Sequence, residues 1–298
     1  MRSPKDVPQP IPYQGSKRLL APEILRYFPD KMNRLVEPFT GSAAISIAVA
    51  SRKRAKEFWL NDAHAPLVAL WQEILERPSE LANNYESLWH EQEGREREFF
   101  NEVRSRFNKG HLPEDFLYLL ARCVKAAIRY NASGEFNNTP DNRRKGAKPD
   151  EMRQRIECAS SLFANKATLT SLDYREVLER CKTKDLVYMD PPYQGVCGNR
   201  DARYLPSISH AEFCDALDRL NSRQIMYAVS YDGRTGDKVY GEPMPESLGL
   251  RHLELKAGRS TQATLLGRDD VTYEGFYLSP ALASVVDVNS TNPQLALW

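Results

Sequence analysis

Short runs of β-branched and apolar residues alternate with stretches whose apolar positions recur every three or four residues. This is the pattern of βαβ units around a mainly parallel sheet. The runs predict seven strands, at 34–37, 58–61, 167–172, 185–190, 225–231, 251–256 and 273–279. Helices fit between them. Residues 42–54 follow a glycine turn, 65–75 carry Pro66 in the first turn, and 211–220 have Ser209 in position to cap them. From about residue 78 to 165 the alternation stops, and the pattern there is helical with no convincing strand. The chain therefore divides into an α/β frame built from 1–77 and 166–282, an insertion at 78–165 and a tail at 283–298.

Within the insertion, Phe116, Leu120, Val124 and Ile128 recur every fourth residue, predicting one helix with an apolar stripe. Arg122, Lys125 and Arg129 share another face of it. From Arg122 to Arg155 nine basic residues stand against four acidic ones, although the whole chain of 298 residues carries a formal charge of only +1. Nucleic-acid binding, if present, must use this local basic face rather than bulk charge. The helix leads into Tyr130-Asn131-Ala132-Ser133-Gly134-Glu135-Phe136-Asn137-Asn138 and then Arg143-Arg144-Lys145. Basic side chains neutralise phosphates, amides pair with adenine edges, and an aromatic ring fills the gap left by a displaced base.

Five widely spread cysteines form no metal-ligand pattern, so they read as reduced thiols, and no metal is expected. No stretch has the apolar length of a signal peptide or a membrane span, so a soluble cytoplasmic protein is expected.

The sharpest local signal is Leu186-Val187-Tyr188-Met189-Asp190-Pro191-Pro192-Tyr193. Proline cannot continue a central strand, so the chain leaves the sheet just after Asp190, at the carboxyl edge where open α/β sheets bind ligands. An acid there suits one particular task. The exocyclic amine of adenine or cytosine is a poor nucleophile because its lone pair is delocalised into the ring. A carboxylate and a backbone carbonyl of the Asp190–Pro191 turn that accept its two hydrogens favour a tetrahedral nitrogen aimed at an electrophilic methyl. Pro191 and Pro192 hold the group rigid, and Tyr193 stacks on the extruded base. The plainer alternative is a proline-stopped strand with a capping aspartate.

A second strand ending, Val36-Glu37-Pro38-Phe39-Thr40-Gly41, passes through a glycine turn into a helix, with Glu37 suited to a cationic amino group. Asp62 follows the next strand, 25 residues beyond Glu37, the usual distance to an acid that holds a nucleoside ribose.

Taken together, these blocks resemble the Dam-like DNA adenine N6-methyltransferases. Pro12-Tyr13-Gln14-Gly15-Ser16-Lys17 resembles the family's N-terminal aromatic, Gly-Gly-Lys block. The stretch from Val36 to Gly41 resembles its cofactor loop, Asn61-Asp62 its ribose site, and Asp173-Tyr174 the pair that holds the cofactor's adenine. Asp190 to Tyr193 is its catalytic motif. Arg129 to Asn137 is similar to its R-x-N-x-x-G-x-F-N target-recognition stretch. Two positions depart from the pattern: Ser16 stands where the second glycine does, and Thr139-Pro140-Asp141-Asn142 lacks a glycine after the proline.

The resemblance implies a Rossmann-like S-adenosylmethionine methyltransferase sheet of seven mostly parallel strands, with an inserted, mainly helical target-recognition lobe. It implies S-adenosylmethionine around Tyr13, Gly15, Lys17, Glu37, Pro38, Phe39, Gly41, Asp62, Asp173, Tyr174 and Asp190. It also implies double-stranded DNA at Arg122, Lys125, Arg129, Asn131, Gly134, Phe136, Asn137, Arg143, Arg144, Lys145 and Arg259, the last beside a polar loop at 260–264. A cognate restriction enzyme is the protein partner it suggests, for a chain acting as a monomer or weak dimer. Three other readings stand beside this one. A cytosine-N4 methyltransferase more often has serine at the acid's place, an RNA or protein-amide methyltransferase would use a similar site, and a DNA-binding regulator would carry a decayed one.

Overall fold

The protein is described by a computed structural model covering residues 7–193, 208–259 and 271–290. The strands are β1 (Met32–Glu37), β2 (Ala55–Asn61), β3 (Ala167–Thr170), β4 (Asp185–Met189), β5 (Met226–Thr235), β6 (Lys238–Tyr240), β7 (Arg251–Arg259) and β8 (Val271–Leu278). They form one sheet in the order β3-β2-β1-β4-β5-β8-β7, with β6 paired to β5. β1 to β5 run parallel, while β8 and β7 add an antiparallel edge. All seven expected strands are present within a few residues. The eighth, β6, has three exposed residues that only extend a hairpin from β5, so no buried face marks it in the sequence.

Helices α1 (Ala21–Ile24), α2 (Ala44–Ser51) and α3 (Ala65–Glu76) accompany the first strands. The insertion supplies α4 (Pro78–Glu91), α5 (Glu96–Gly110), α6 (Pro113–Arg122) and α7 (Pro149–Phe163). Then come α8 (Tyr174–Arg180), α9 (His210–Ser222) and α10 (Pro280–Ser290). The buried runs 35–36, 58–60 and 186–189 are apolar because helices cover both faces of the sheet there. Leu35, Phe58, Leu186 and Tyr188 point to one side and join a single cluster with Tyr85, Phe100, Phe116, Ile156 and Phe163 of the insertion. Val36, Trp59, Val187 and Met189 point to the other, against Val177, Leu178, Phe213 and Leu217 of α8 and α9. Each fully buried side chain of this size contributes about 1.5–3 kcal/mol.

Two helical expectations need correction. The helix predicted through Ile128 stops at Arg122, and Cys123 is already extended. Lys125 and Ala126 take left-handed backbone with φ of 60° and 50°. The following segment pairs across the fold instead: Val124 donates to Thr139 O, Asp141 donates to Arg122 O, and Gln14 donates to Ala126 O. Val124 is consequently exposed rather than core. The expected tail from 283 begins inside α10, where Leu282 is buried and Ala283 and Val286 pack on the main cluster. Trp298, Cys197 and the polar stretch at 260–264 lie outside the described residues.

Among the described residues no helix is long and apolar enough to cross a membrane, and no His, Cys, Asp and Glu cluster suited to a metal occurs. Four of the cysteines are free thiols.

Candidate active site

The strand order fixes where ligands can sit. From β1 the chain builds outward through β2 and β3, whereas β4 and β5 extend the other way. The crevice at this reversal opens beyond the carboxyl ends of β1 and β4. Glu37 ends β1, and Asp190 directly follows β4, the neighbour with which β1 pairs in register through Val36 and Val187. Asp62 follows β2, and Asp173 follows β3 by a short turn. Four acids from four adjacent strands thus line one edge of the sheet.

Asp190 does not stand alone. Lys17 Nζ donates to both of its carboxylate oxygens, at 2.7 and 2.8 Å, and contacts Gly15 O at 3.4 Å. On its other side the same ammonium lies 3.2 Å from Glu274 Oε1, on β8. Burial pushes the Asp190 carboxyl above the usual range, and Lys17 pulls it back only in part. Burial also opposes the Lys17 charge, but Asp190 and Glu274 outweigh it and hold the ammonium above its ordinary value. Pro191 is buried, and Pro192 and Tyr193 are half-buried. The Tyr193 ring sits 5.0 Å from Lys17 Nζ and edge-on to Tyr231, and its buried hydroxyl has no hydrogen-bond partner. Tyr188, just before the motif, shares a hydrogen bond with Ser230 on β5.

Across the crevice, Glu37 is buried and its Oε1 accepts from Ser46 N at 2.6 Å, tying the strand end to α2. Burial pushes its carboxyl up to about 8, against the Ser46 N–H, with Asp190 adding to the rise. The intervening loop needs Gly41, whose φ is +49° and whose place for a Cβ lies 3.2 Å from the Tyr13 ring. Asp62 Oδ2 accepts from Gly41 N at 2.9 Å, and Oδ1 from His64 N at 3.0 Å. Burial raises its pKa, and these two N–H groups work against the rise. The Phe39 and Tyr174 rings meet tilted at 36° with centroids 5.3 Å apart, and the buried Tyr174 hydroxyl has no partner. Asp173 caps α8 and is exposed, and Arg175 holds its carboxyl below the usual range.

This donor set fits a nucleoside carrying an amino acid. A carboxylate that accepts two backbone N–H groups, as Asp62 does, still has lone pairs for hydroxyls. The orphaned Tyr174 hydroxyl and the Phe39 ring beside Asp173 offer an aromatic wall with polar points. Pro38 joins the wall through its carbonyl, which accepts from Asn61 Nδ2.

The basic segment divides on inspection. Arg143 and Arg144 are 89% and 80% exposed, and each only brushes Asp141, at 3.6 and 3.8 Å. Lys145 is exposed and pairs with Glu96 at 3.0 Å. Lys125 and Asn137 are exposed, Arg129 is half-buried, and Arg259 ends β7. Arg122 and Phe136, by contrast, are 2% and 1% exposed and are corrected as DNA contacts. Arg122 turns inward, its Nη1 reaching Asp141 O at 3.4 Å, because its helix face is covered by the 139–146 loop. Phe136 packs into Phe107, Phe116 and Tyr130. Asn131 is engaged in its own turn, Oδ1 accepting from Ser133 N and Glu135 N and Nδ2 donating to Glu135, while Gly134 supplies the left-handed residue at φ +75°. Tyr130 and Asn131 therefore build the hairpin, and its exposed surface is Ala132 to Glu135 and Asn137.

Three residues take parts that the sequence reading did not assign them, Asn61 having been placed there only beside Asp62 in the ribose site. Asn61 is buried and stitches the site together, donating to Pro38 O and Leu172 O and accepting from Thr170 and Leu172 N. His64 Nδ1 accepts from Leu67 N, so its Nε2–H is left to donate to Tyr130, joining the Asp62 loop to the Tyr130–Phe136 hairpin. Burial lowers its pKa to about 4, which keeps the ring neutral. Glu274 is the third. An amide or histidine beside Asp62 carried a local signal, whereas Glu274 lies 84 residues beyond Asp190 and carried none.

Comparison with known proteins gives the same direction. The chain is 27% identical over 190 residues to the type II methyltransferase M1.LlaDCHI of Lactococcus lactis subsp. cremoris, covering 61% of this chain and 64% of that one. It is 26% identical over 271 residues to the modification methylase StsI of Streptococcus sanguinis, covering 84% and 40%. It is 27% identical over 269 residues to the DNA adenine methylase of Serratia marcescens, covering 88% and 94%. The chain thus spans less than two thirds of the length of the first two. The family model for D12 class N6 adenine-specific DNA methyltransferases matches residues 13–246, from Tyr13 through the motif at Asp190. The resemblance expected from the sequence is borne out, and the chain belongs to the D12 class N6 adenine-specific DNA methyltransferase family.

Proposed function

We propose that this protein transfers the methyl group of S-adenosylmethionine to the N6 amine of an adenine turned out of double-stranded DNA. The observation that carries the proposal is the place of Asp190: a carboxylate fixed by two prolines at the end of β4, facing the crevice that Glu37 borders from β1. Asp190 and a carbonyl of the Asp190–Pro191 turn accept the two amine hydrogens and draw the nitrogen lone pair out of the ring. The nitrogen gains a methyl and gives up one proton. Asp190, made more basic than a solvated aspartate by burial, is placed to take it. Tyr193 stacks on the base, and the prolines keep acid, carbonyl and ring in fixed relation.

S-adenosylmethionine supplies a methyl already activated on a sulfonium, so the chemistry asks no metal of the protein. Glu37 would hold its amino group, Asp62 its ribose hydroxyls, and Asp173 with Phe39 and Tyr174 its adenine. Tyr13, Gly15, Lys17, Pro38 and Gly41 would form the floor between these groups. Arg143, Arg144, Lys145, Lys125, Arg129 and Arg259 are the proposed phosphate contacts, with Asn137 and the turn at Gly134 nearest the bases. Two relatives bear the names of type II and modification methylases. A restriction endonuclease reading the same site, in a bacterial cytoplasm, is the partner we propose.

The test is incubation with labelled S-adenosylmethionine and unmethylated DNA of mixed sequence, followed by nucleoside analysis. N6-methyladenine is expected. Label in N4-methylcytosine, or only in RNA or protein, would refute the reading.

A further inference from the structure

The contact between Lys17 and Asp190 poses a problem for the proposed chemistry. Both Asp190 oxygens are already taken by the Lys17 ammonium, at 2.7 and 2.8 Å, and its remaining reach goes to Gly15 O at 3.4 Å. An ammonium has three hydrogens, and these three acceptors use them. A target amine can bind Asp190 only if Lys17 gives up part of that hold. Doing so without compensation would strand a buried charge, which is costly.

Glu274 offers the compensation. Its Oε1 lies 3.2 Å from the same Nζ, yet it is buried and accepts no hydrogen bond. It is an acceptor beside the ammonium with its bond unmade. Its position is rigid, because β8 lies between β5 and β7, with Gly233 and Leu255 as its register partners. A bulge in β5 between Ser230 and Gly233 brings that backbone close. A Cβ at Gly233 would sit 2.1 Å from Tyr273 O and 3.1 Å from Glu274 Cα. The side chain shares its strand face with Phe276 and Leu278, which anchor it in the main cluster.

We propose that Glu274 is a positioning residue for methyl transfer: it is the second seat of the Lys17 ammonium, which turns from Asp190 toward Glu274 when the target amine arrives. The exchange keeps the number of hydrogen bonds to Lys17 unchanged while freeing an Asp190 oxygen. It leaves Lys17 close enough to hold Asp190 ionised until the amine proton is released. Burial raises the Glu274 carboxyl to about 7 against the pull of Lys17, with Asp190 adding to the rise. The proposal rests on the reading of Asp190 as the amine acceptor.

The test compares the full-length protein with Glu274→Gln and Glu274→Asp on unmethylated genomic DNA with labelled S-adenosylmethionine, and measures equilibrium binding of S-adenosylmethionine alone. Glu274→Gln keeps the shape and removes the charge. Its kcat is expected to fall roughly tenfold to a hundredfold, the cost of a misplaced reacting group, with cofactor affinity unchanged within about twofold. Glu274→Asp, which keeps the charge on a shorter arm, should recover part of the loss. A Glu274→Gln enzyme as fast as wild type overturns the proposal. So does a loss of cofactor binding that matches the loss of kcat, or a Glu274→Asp enzyme no better than Glu274→Gln. If the wild-type protein binds the cofactor and methylates no adenine, the parent reading falls, and this proposal falls with it.

Discussion

Replacing Asp190 with asparagine separates what the carboxylate does for chemistry from what it does for the fold. The substitution is isosteric, so the Pro191-Pro192 turn and the end of β4 keep their path. The charge that faces Lys17 is lost. Breaking a buried ion pair by removing one partner costs about 3–5 kcal/mol where the survivor is left alone. Here Lys17 keeps Glu274 at 3.2 Å and Gly15 O at 3.4 Å. The loss of stability should therefore fall at or below about 3 kcal/mol, and the protein should remain folded at room temperature. The chemical loss is larger. An amide oxygen accepts more weakly than a carboxylate, and the Asn nitrogen would face the ammonium unless the amide turns its oxygen there and away from the base. Removing one preorganised partner of a developing charge costs about 10²–10³ in kcat. Asparagine also lacks the basicity to take the amine proton, so a fall of at least about 10³ is expected. Single-turnover methyl transfer, cofactor binding and a urea melt of the same preparation give the three quantities. An Asp190→Asn enzyme within tenfold of wild type, with the fold intact, would show that the carboxylate is neither acceptor nor base.

The remaining predictions address the crevice and the basic surface. Burial raises Glu37 to about 8 from an ordinary value near 4.5, so between those values the folded state holds a proton that the unfolded state has lost. Stability should therefore fall as pH rises through this window and level off above it, by up to about 1.4 kcal/mol per unit. Glu37→Gln should flatten urea midpoints taken at several pH values, and an unchanged slope would show that Glu37 is not the group responsible. Gly41→Ala places a methyl 3.2 Å from the Tyr13 ring in left-handed backbone. A loss of about 1–2 kcal/mol is expected from the conformation, with weaker cofactor binding by calorimetry, whereas wild-type values for both would mean the loop adapts freely. Arg143→Ala with Arg144→Ala should weaken DNA binding and lower the salt dependence by about two ions. Arg122→Ala should lower the melting temperature and leave that slope alone, and the opposite assignment of effects would reverse the division between exposed and buried arginines.

How much of this was readable in the chain depends on how far each signal reaches. The strands at β1, β2 and β4 were legible because their carboxyl-terminal parts are buried on both faces, giving the apolar runs 35–36, 58–60 and 186–189, each followed within two residues by an acid. The acids Glu37, Asp62 and Asp190 followed from those endings, since a strand that must stop at the sheet edge leaves its next polar residue in the crevice. The insertion misled where periodicity alone was used. Phe116 and Leu120 are core, but the same spacing carried on through Val124 and Ile128, where one short turn, Ala126 N to Cys123 O, is followed by bonds to residues 138–139 in place of a continued helical ladder. Helical spacing reports what a helix would bury, and tertiary pairing decides whether the helix continues. Composition misled in the same way. Arg122 and Phe136 have the residue types of a DNA contact, yet one braces a loop and the other fills the core, because charge and ring say nothing about direction. Glu274 shows the limit most clearly. A glutamate in an antiparallel strand is ordinary in sequence, and only the bulge at Gly233 together with the reach of Lys17 from the first loop makes it part of the site. The edges of the parallel strands announce the chemistry from local sequence, while the groups that tune it come from elements whose meeting no local pattern records.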